Sequence, residues 1–148
     1  MNAVPLGHGG YVTDLTGIED FINLEHFRAY YNNIGSINLS TLIKLKSLYF
    51  ISNNITSIDL SANTDLEKLV IGNGAMDFGP FNKIKTLNLS NNKKIKHIEA
   101  YNMVNLEFIN LRNNMADSVY ILLGNENNVP YNVCIEVDNP IAATTSTA

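Results

Sequence analysis

A repeat of 21 residues constrains the fold of this chain more than any other feature of its sequence. The first three units have halves of ten and eleven residues, and the fourth has two halves of eleven. Each half has apolar residues at its first, fourth and sixth positions. Four units follow one another, at 24–44, 45–65, 66–94 with an insertion at 76–83, and 95–116. A period of this length predicts a solenoid, in which every unit buries its apolar face against the next.

The spacing of the apolar residues also predicts what each half-unit forms. Apolar side chains at the fourth and sixth positions, with polar ones around them, are typical of a short strand whose residues alternate between core and solvent. Ten or eleven residues cannot hold a strand, a turn and a three-turn helix, so the returning side of each coil is expected to be extended. The prediction is a mostly β solenoid with parallel strands, about four coils and little helix.

Asparagines recur where each predicted strand ends. Asn32, Asn53, Asn63, Asn92 and Asn114 fall at this position, where the backbone amides of a turn need hydrogen-bond partners. We therefore interpret them as structural. Gly74, Met103 and Leu42 occupy the equivalent position in other half-units, and we expect the asparagine ladder to be weaker at those three places.

Two half-units, "ITSIDLSANTD" and "IKTLNLSNNKK", resemble the 21-residue class of bacterial leucine-rich repeats, whose second half is close to "LxxLDLSxN". Upstream, "VTDLTGIEDFINLEHF" resembles the internalin-like segment that precedes such repeats in surface and secreted proteins of Bacteroidetes. Downstream, "NVCIEVDNP" is similar to the closing segment of the same proteins. The resemblance implies a secreted or cell-surface bacterial protein whose repeats mediate adhesion or protein contact.

The flanks are expected to close the two ends of the solenoid, because a bare terminal coil exposes strand edges and core. We predict an N-terminal segment and cap at 1–23, repeats at 24–116, a C-terminal β cap at 117–140 and a tail or linker at 141–148. "DSVYILL" and "VCIEV" are expected to be strands that pair with the last coil. Cys134, between Val133 and Ile135, is expected to be a small buried apolar residue.

Composition argues against several function classes. Ten Lys and Arg against fourteen Asp and Glu give a net charge of −4 without a basic run, which argues against nucleic-acid binding. No apolar run approaches the ~20 residues of a membrane helix, so we expect no membrane insertion. A single cysteine, scattered histidines and the absence of a phosphate-binding loop or nucleophile elbow predict no metal, no cofactor and no enzyme activity. A carbohydrate-active β-helix remains a minor alternative, with Glu67 and Glu99 as its candidate carboxylates.

The residues that vary between repeats indicate where a partner would bind. Outward positions of the first halves hold mixed aromatic, aliphatic and charged residues, flanked by His26, Lys68 and His97. We name this set the outer strip: Arg28, Tyr30, Tyr49, Ile51, Val70, Glu99 and Tyr101. Aromatic residues exposed on a rigid sheet are typical interface anchors. Alternatively, these are ordinary strand residues, or a neighbouring domain covers them.

The insertion provides a secondary candidate surface, since inserted loops on solenoids often make contacts. Its apolar residues are Met76, Phe78 and Phe81, which would be exposed unless they fold back and plug the widened coil. We therefore expect a non-catalytic module that binds a protein partner, or less readily a surface glycan. The alternative is a structural spacer or accessory domain in a larger surface assembly or secreted enzyme, which contacts other domains of its own chain.

Overall fold

The computed structural model describes residues 2–3, 11–74, 81–114, 119–124 and 132–138. These contain a single-turn 3-10 helix, Ile18–Asp20, and nine strands. The strands are β1 (Asn2–Ala3), β2 (His26–Tyr30), β3 (Ser47–Ile51), β4 (Lys68–Val70), β5 (Thr86–Asn88), β6 (His97–Tyr101), β7 (Phe108–Leu111), β8 (Tyr120–Gly124) and β9 (Cys134–Val137).

The strands form two parallel sheets, as a solenoid requires. The first sheet has six strands in the order β1-β2-β3-β4-β6-β8, and the second has three in the order β5-β7-β9. Equivalent repeat positions lie side by side, so that Leu48 is in register with Leu69 and Leu69 with Ile98. The predicted mostly β solenoid with parallel strands is therefore confirmed.

The second halves of the first two units depart from the prediction of one strand per half-unit. Residues 34–44 and 55–65, which form these second halves, contain no β-strand. The second halves of the third and fourth units contain β5 and β7. The difference follows the residue types at the strand position. Gly35, Ser36 and Ser57 have low strand propensity, while Thr86 and Phe108 favour strands.

The core runs along the axis of the solenoid between the two sheets. The inward positions of successive coils are fully buried, among them Phe27, Leu48, Leu69 and Ile98. The rings of Phe27 and Phe50 pack at 6.3 Å between centroids. Burying a side chain of this size contributes roughly 1.5–3 kcal/mol, so the stacked apolar rows are the main stabilising element.

One asparagine ladder follows the turns after the first-sheet strands. Asn53 donates from Nδ2 to the carbonyl oxygens of Ala29 and Ile51, both at 3.1 Å. In the third coil the ladder residue is Asn82, at the end of the insertion, which donates to the Phe50 carbonyl at 2.8 Å. Asn82 thus fills the place in the ladder at which the repeat pattern has Gly74. The expectation that the asparagine ladder is weaker at this place is therefore wrong.

A second ladder follows the opposite turns. Asn63 donates to the carbonyl of Leu42 at 2.8 Å, Asn92 to the carbonyl of Asn63 at 2.8 Å, and Asn113 to the carbonyl of Asn92 at 3.3 Å. Leu42, at the first level, is fully buried and still supplies its backbone oxygen.

The interpretation of Asn114 as a ladder residue was wrong. Asn113 is the buried residue that takes part in the ladder. Asn114 is exposed and has a left-handed backbone conformation with φ 56°. This turn bends one residue earlier than the repeat alignment indicates, so the residue before the aligned position enters the ladder. The left-handed conformation that Asn114 adopts is one that asparagine tolerates better than most residues.

The C-terminal strands extend both sheets. β8 pairs with β6 and β9 with β7, all parallel, as expected for strands that pair with the last coil. The expectation that Cys134 is buried is wrong, because its side chain is exposed. Cys134 is in register with Phe108 on the outward face, while the alternate residues Ile135 and Val137 pack on the core.

Candidate interaction surface

The outward face of the first sheet brings the predicted strip residues together. Strand register places Arg28 beside Tyr49, Tyr49 beside Val70, and Val70 beside Glu99. Tyr30 is likewise paired with Ile51. Adjacent strands lie ~4.8 Å apart, so residues in register form continuous rows across the coils. The sheet therefore holds the strip on a rigid backbone.

In the part of the strip on the first strands, three side chains pack against the ring of Tyr49. The Arg28 guanidinium lies 4.8 Å from the centroid of its ring, and the Lys68 ammonium lies 5.6 Å from the same centroid. Tyr30 packs edge-on against it, with ring centroids 6.4 Å apart and an interplanar angle of 75°. Cation–π contacts of this kind contribute about 0.5–1 kcal/mol at exposed sites, and they fix the orientation of the cations.

In the part of the strip on β6, two basic side chains contact Glu99. Its carboxylate accepts from Lys68 Nζ at 3.1 Å and contacts the imidazole of His97. Partial burial by itself would raise the pKa of this carboxyl, but the hydrogen bonds from His97 and Lys68 outweigh burial and hold the pKa below its usual value. Glu99 is consequently ionised at neutral pH, and its charge is compensated by Lys68, which flanks the strip.

The exposure of the strip residues is uneven. Arg28 is exposed, and Tyr30, Tyr49, Ile51, Glu99 and Tyr101 are half-buried. Val70 is only 5% exposed, so it does not offer the accessible surface that the sequence predicted. Tyr49 and Glu99 flank it in register, and Lys68 contacts both, so three longer side chains lie next to the buried valine.

The structure adds two residues that the sequence reading missed. Tyr120 and Leu122 of β8 continue the outward rows beyond His97 and Glu99, and they are 55% and 39% exposed. The Tyr120 ring stacks on the His97 ring at 4.8 Å. The alternation of "YILL" was the available signal, but Ser118 stands at the first repeat position, which concealed the match to the apolar pattern.

The secondary loop candidate is described only in part. Phe81 is 37% exposed, while Met76 and Phe78 lie outside the described residues. The residue next to Phe81 has a clear structural role, because Asn82 is buried in the first asparagine ladder. Whether the loop binds a partner therefore stays a prediction.

The other residues that the sequence singled out, Glu67, His26 and His97, have the following positions. Within the described ranges, no group of three or more His, Cys, Asp or Glu residues is arranged to hold a metal ion. Glu67 pairs with Lys96 at 3.3 Å, away from the Glu99 network. His26 is separated from His97 by Ser47 and Lys68 in the same row, three strand spacings or about 14 Å. The described segments also contain no helix of the length and apolarity that crossing a bilayer requires.

A comparison with solved structures decides the type of repeat. The functional domain of InlJ from Listeria monocytogenes, described as including a cysteine ladder, matches with a TM-score of 0.54 and 17% sequence identity. The fold is an internalin-like leucine-rich repeat solenoid. The match covers 76% of this chain and 27% of the InlJ chain, so this leucine-rich repeat chain corresponds to about a quarter of that structure. No protein-family profile and no curated protein sequence matches it.

The ladders of this leucine-rich repeat chain are made of asparagines. Its sequence contains one cysteine, Cys134, which is exposed. A ladder of cysteines therefore cannot form within one chain. The turns are instead stabilised by side-chain amides that donate to backbone carbonyls of the preceding coil.

Proposed function

We propose that this chain is a non-catalytic protein-interaction or adhesion module of a secreted or cell-surface bacterial protein, and that it binds through the outer strip. The observation that carries the proposal is the organisation of the strip: aromatic and charged side chains on one rigid sheet, held by contacts to one another. Partner-binding residues are Arg28, Tyr30, Tyr49, Ile51, Glu99 and Tyr101, with Val70 as a buried support. Side chains that are ordered before binding lose little entropy on association.

In this proposal the repeats at 24–116 carry the surface, 1–23 and 117–140 close the ends, and 141–148 is a tail or linker. The likeness to the InlJ domain supports an interaction module, because solenoids of this kind present extended binding surfaces. The bacterial source, secretion and adhesion rest on the sequence resemblance. The same resemblance supports a protein as the partner.

A capture experiment tests the proposal. The chain is immobilised and exposed to proteins released from the cell surface and culture supernatant of the source organism, beside a Tyr30→Ser, Tyr49→Ser, Tyr101→Ser variant. The matched control replaces three exposed apolar residues outside the strip, Phe21, Ile43 and Val104, with serine. We expect the parent and the control to capture a partner that the strip variant loses.

The alternative is a structural spacer or accessory domain, in which the strip contacts other domains of the same parent protein. It predicts a different result in the same experiment. Both variants would then capture the same proteins as the parent, and the strip substitutions would instead weaken docking to a neighbouring domain or lower thermal stability. That outcome would overturn recognition through the strip.

A further inference from the structure

Arg28 differs from Glu99 of the strip and from Lys68 beside it, because Arg28 has no oppositely charged partner among the described residues. Lys68 pairs with Glu99 at 3.1 Å, and Glu99 also contacts His97. Arg28, by contrast, forms no ion pair with any of the residues described here, and its guanidinium lies over the Tyr49 ring. Its charge is therefore available to a partner.

The surroundings of Arg28 contain no carboxylate in the sheet. The outward residues beside it are His26 and Tyr30 on its own strand, and Ser47, Tyr49 and Ile51 on the next. On the other side it is in register with Asn2. The strip and its flank thus carry two permanent cations, Arg28 and Lys68, against one carboxylate, on a chain with fourteen Asp and Glu against ten Lys and Arg. This face is locally cationic on an acidic protein.

The tyrosines give the site its geometry. The guanidinium carbon of Arg28 lies 4.8 Å from the centroid of the Tyr49 ring. A guanidinium that contacts an aromatic ring can still bind a carboxylate along its edge with two parallel hydrogen bonds. Tyr30 packs against Tyr49 and is half-buried beside Arg28. Partial burial raises the pKa of the Tyr30 hydroxyl, so this hydroxyl is a hydrogen-bond donor at neutral pH. Ile51 lies next to Tyr30 in register.

We infer that Arg28 is a carboxylate-binding anchor for an acidic protein segment, with apolar residues beside the acid that pack on Tyr30 and Ile51. The inference rests on the proposed function and specifies the partner's chemistry at one end of the strip. Charge complementarity favours this partner, since a protein segment with Asp or Glu meets the excess of positive charge at this end of the strip. A Lys- or Arg-rich segment would meet Arg28 and Lys68 unfavourably.

A displayed library of random twelve-residue peptides is the probe. The library is selected against the whole chain, and the best peptides are synthesised with each acid and with its amide, Glu→Gln or Asp→Asn. Binding is measured to the parent, Arg28→Gln, Arg28→Lys and the matched control Arg112→Gln. Arg112 is an exposed arginine paired with Glu136 at 2.7 Å, outside the strip. Thermal melting checks that every variant is folded.

We expect selected peptides to carry an acid beside apolar residues and to lose about tenfold or more in affinity with Arg28→Gln. Replacing the acid of the peptide with its amide should lower the affinity for the parent by a similar factor. The same replacement should hardly change the affinity for Arg28→Gln, because the two changes remove the same contact. Arg28→Lys should fall between the parent and Arg28→Gln, and Arg112→Gln should bind like the parent.

Two results would overturn the inference, and they have different consequences for the proposed function. In the first, the peptides bind the Tyr101→Ser variant more weakly but bind Arg28→Gln as well as the parent. The strip would then still be the interaction surface, but Arg28 would not be a carboxylate anchor. Peptides that bind the Tyr30→Ser, Tyr49→Ser, Tyr101→Ser variant as well as the parent would contradict both the anchor and the strip.

Discussion

Removal of the Asn82 side chain should cost much more stability than its position beside an insertion suggests. Asn82 is 2% exposed, and its Nδ2 lies 2.8 Å from the Phe50 carbonyl oxygen and 3.1 Å from that of Ile71. Its Oδ1 accepts from the backbone N–H of Asn53 at 3.2 Å. Asn82→Ala therefore leaves two carbonyls and one N–H without these partners in a buried turn.

The expected loss follows from these three hydrogen bonds, which are the shortest of the side chain; a fourth, from Nδ2 to the Gly72 carbonyl oxygen, is 3.3 Å long. Each buried bond contributes about 1 kcal/mol net, so Asn82→Ala should lower the free energy of unfolding by about 3 kcal/mol. Domains of this kind have total stabilities of about 5–15 kcal/mol, so the change is readily measured. Urea unfolding followed by circular dichroism gives the midpoint and the slope for both proteins.

Asn91→Ala is the matched control for Asn82→Ala. Asn91 is exposed, and its side chain donates to the Ser61 carbonyl at 3.3 Å on the surface. Water can replace that bond, so we expect a loss of a few tenths of a kcal/mol. If Asn82→Ala costs no more than Asn91→Ala, the reasoning that assigns Asn82 to the ladder is refuted.

Glu99, whose pKa is held below its usual value, stabilises the fold above the unfolded carboxyl pKa, and this stabilisation is lost as pH falls through the lower folded pKa. Glu99→Gln should therefore melt below the parent at pH 7 and converge with it in acid, whereas a gap that stays constant with pH would contradict the prediction. A Cβ at Gly72 would lie 2.4 Å from a backbone oxygen of the adjacent strand, so Gly72→Ala should lower the melting temperature by several degrees through a cost of about 1–3 kcal/mol or more, while Gly35→Ala, with nothing within 4 Å, should not. Cys134 should react with one equivalent of a maleimide in the folded protein, as mass spectrometry would show, and modification only in denaturant would disprove its exposure.

The repeat alone predicted most of the fold, because a strict period fixes both strand register and the buried face. Phe27, Leu48, Leu69 and Ile98 were placed at inward positions by spacing, and the structure buries each of them. What the period could not predict is where turns shift by one residue. Asn113 replaces Asn114 in its ladder, and that choice depends on the local turn rather than on the repeat.

The insertion illustrates a second limit of the sequence pattern. Asn82 is a ladder residue, but it stands at the end of the insertion rather than at an aligned repeat position. Its role depends on how a loop of different length returns to the turn, and the repeat alignment carries no information on that path. The position of Asn82 was accordingly visible only in three dimensions.

The face on which the candidate residues lie was predictable from the sequence, but the contacts between them and their exposure were not. Strand alternation placed Arg28, Tyr49 and Glu99 on one face, as the register shows. The pairing of Lys68 with Glu99 and the burial of Val70 depend on side-chain lengths and rotamers, which the period does not encode. The exposed Cys134 was missed because its apolar neighbours suggested a buried strand, while outward residues on strands can equally be small and apolar.

Site-specific photocrosslinking on cells of the source organism tests directly whether the outer strip binds a partner. A benzophenone side chain is incorporated at Tyr101 in the strip and, separately, at Val104, which is 72% exposed outside it. We expect illumination to link the Tyr101 variant to a defined protein partner, and we expect the Val104 variant to give little of that adduct. Equal crosslinking from both positions, or a partner linked from Val104 alone, would contradict recognition through the outer strip.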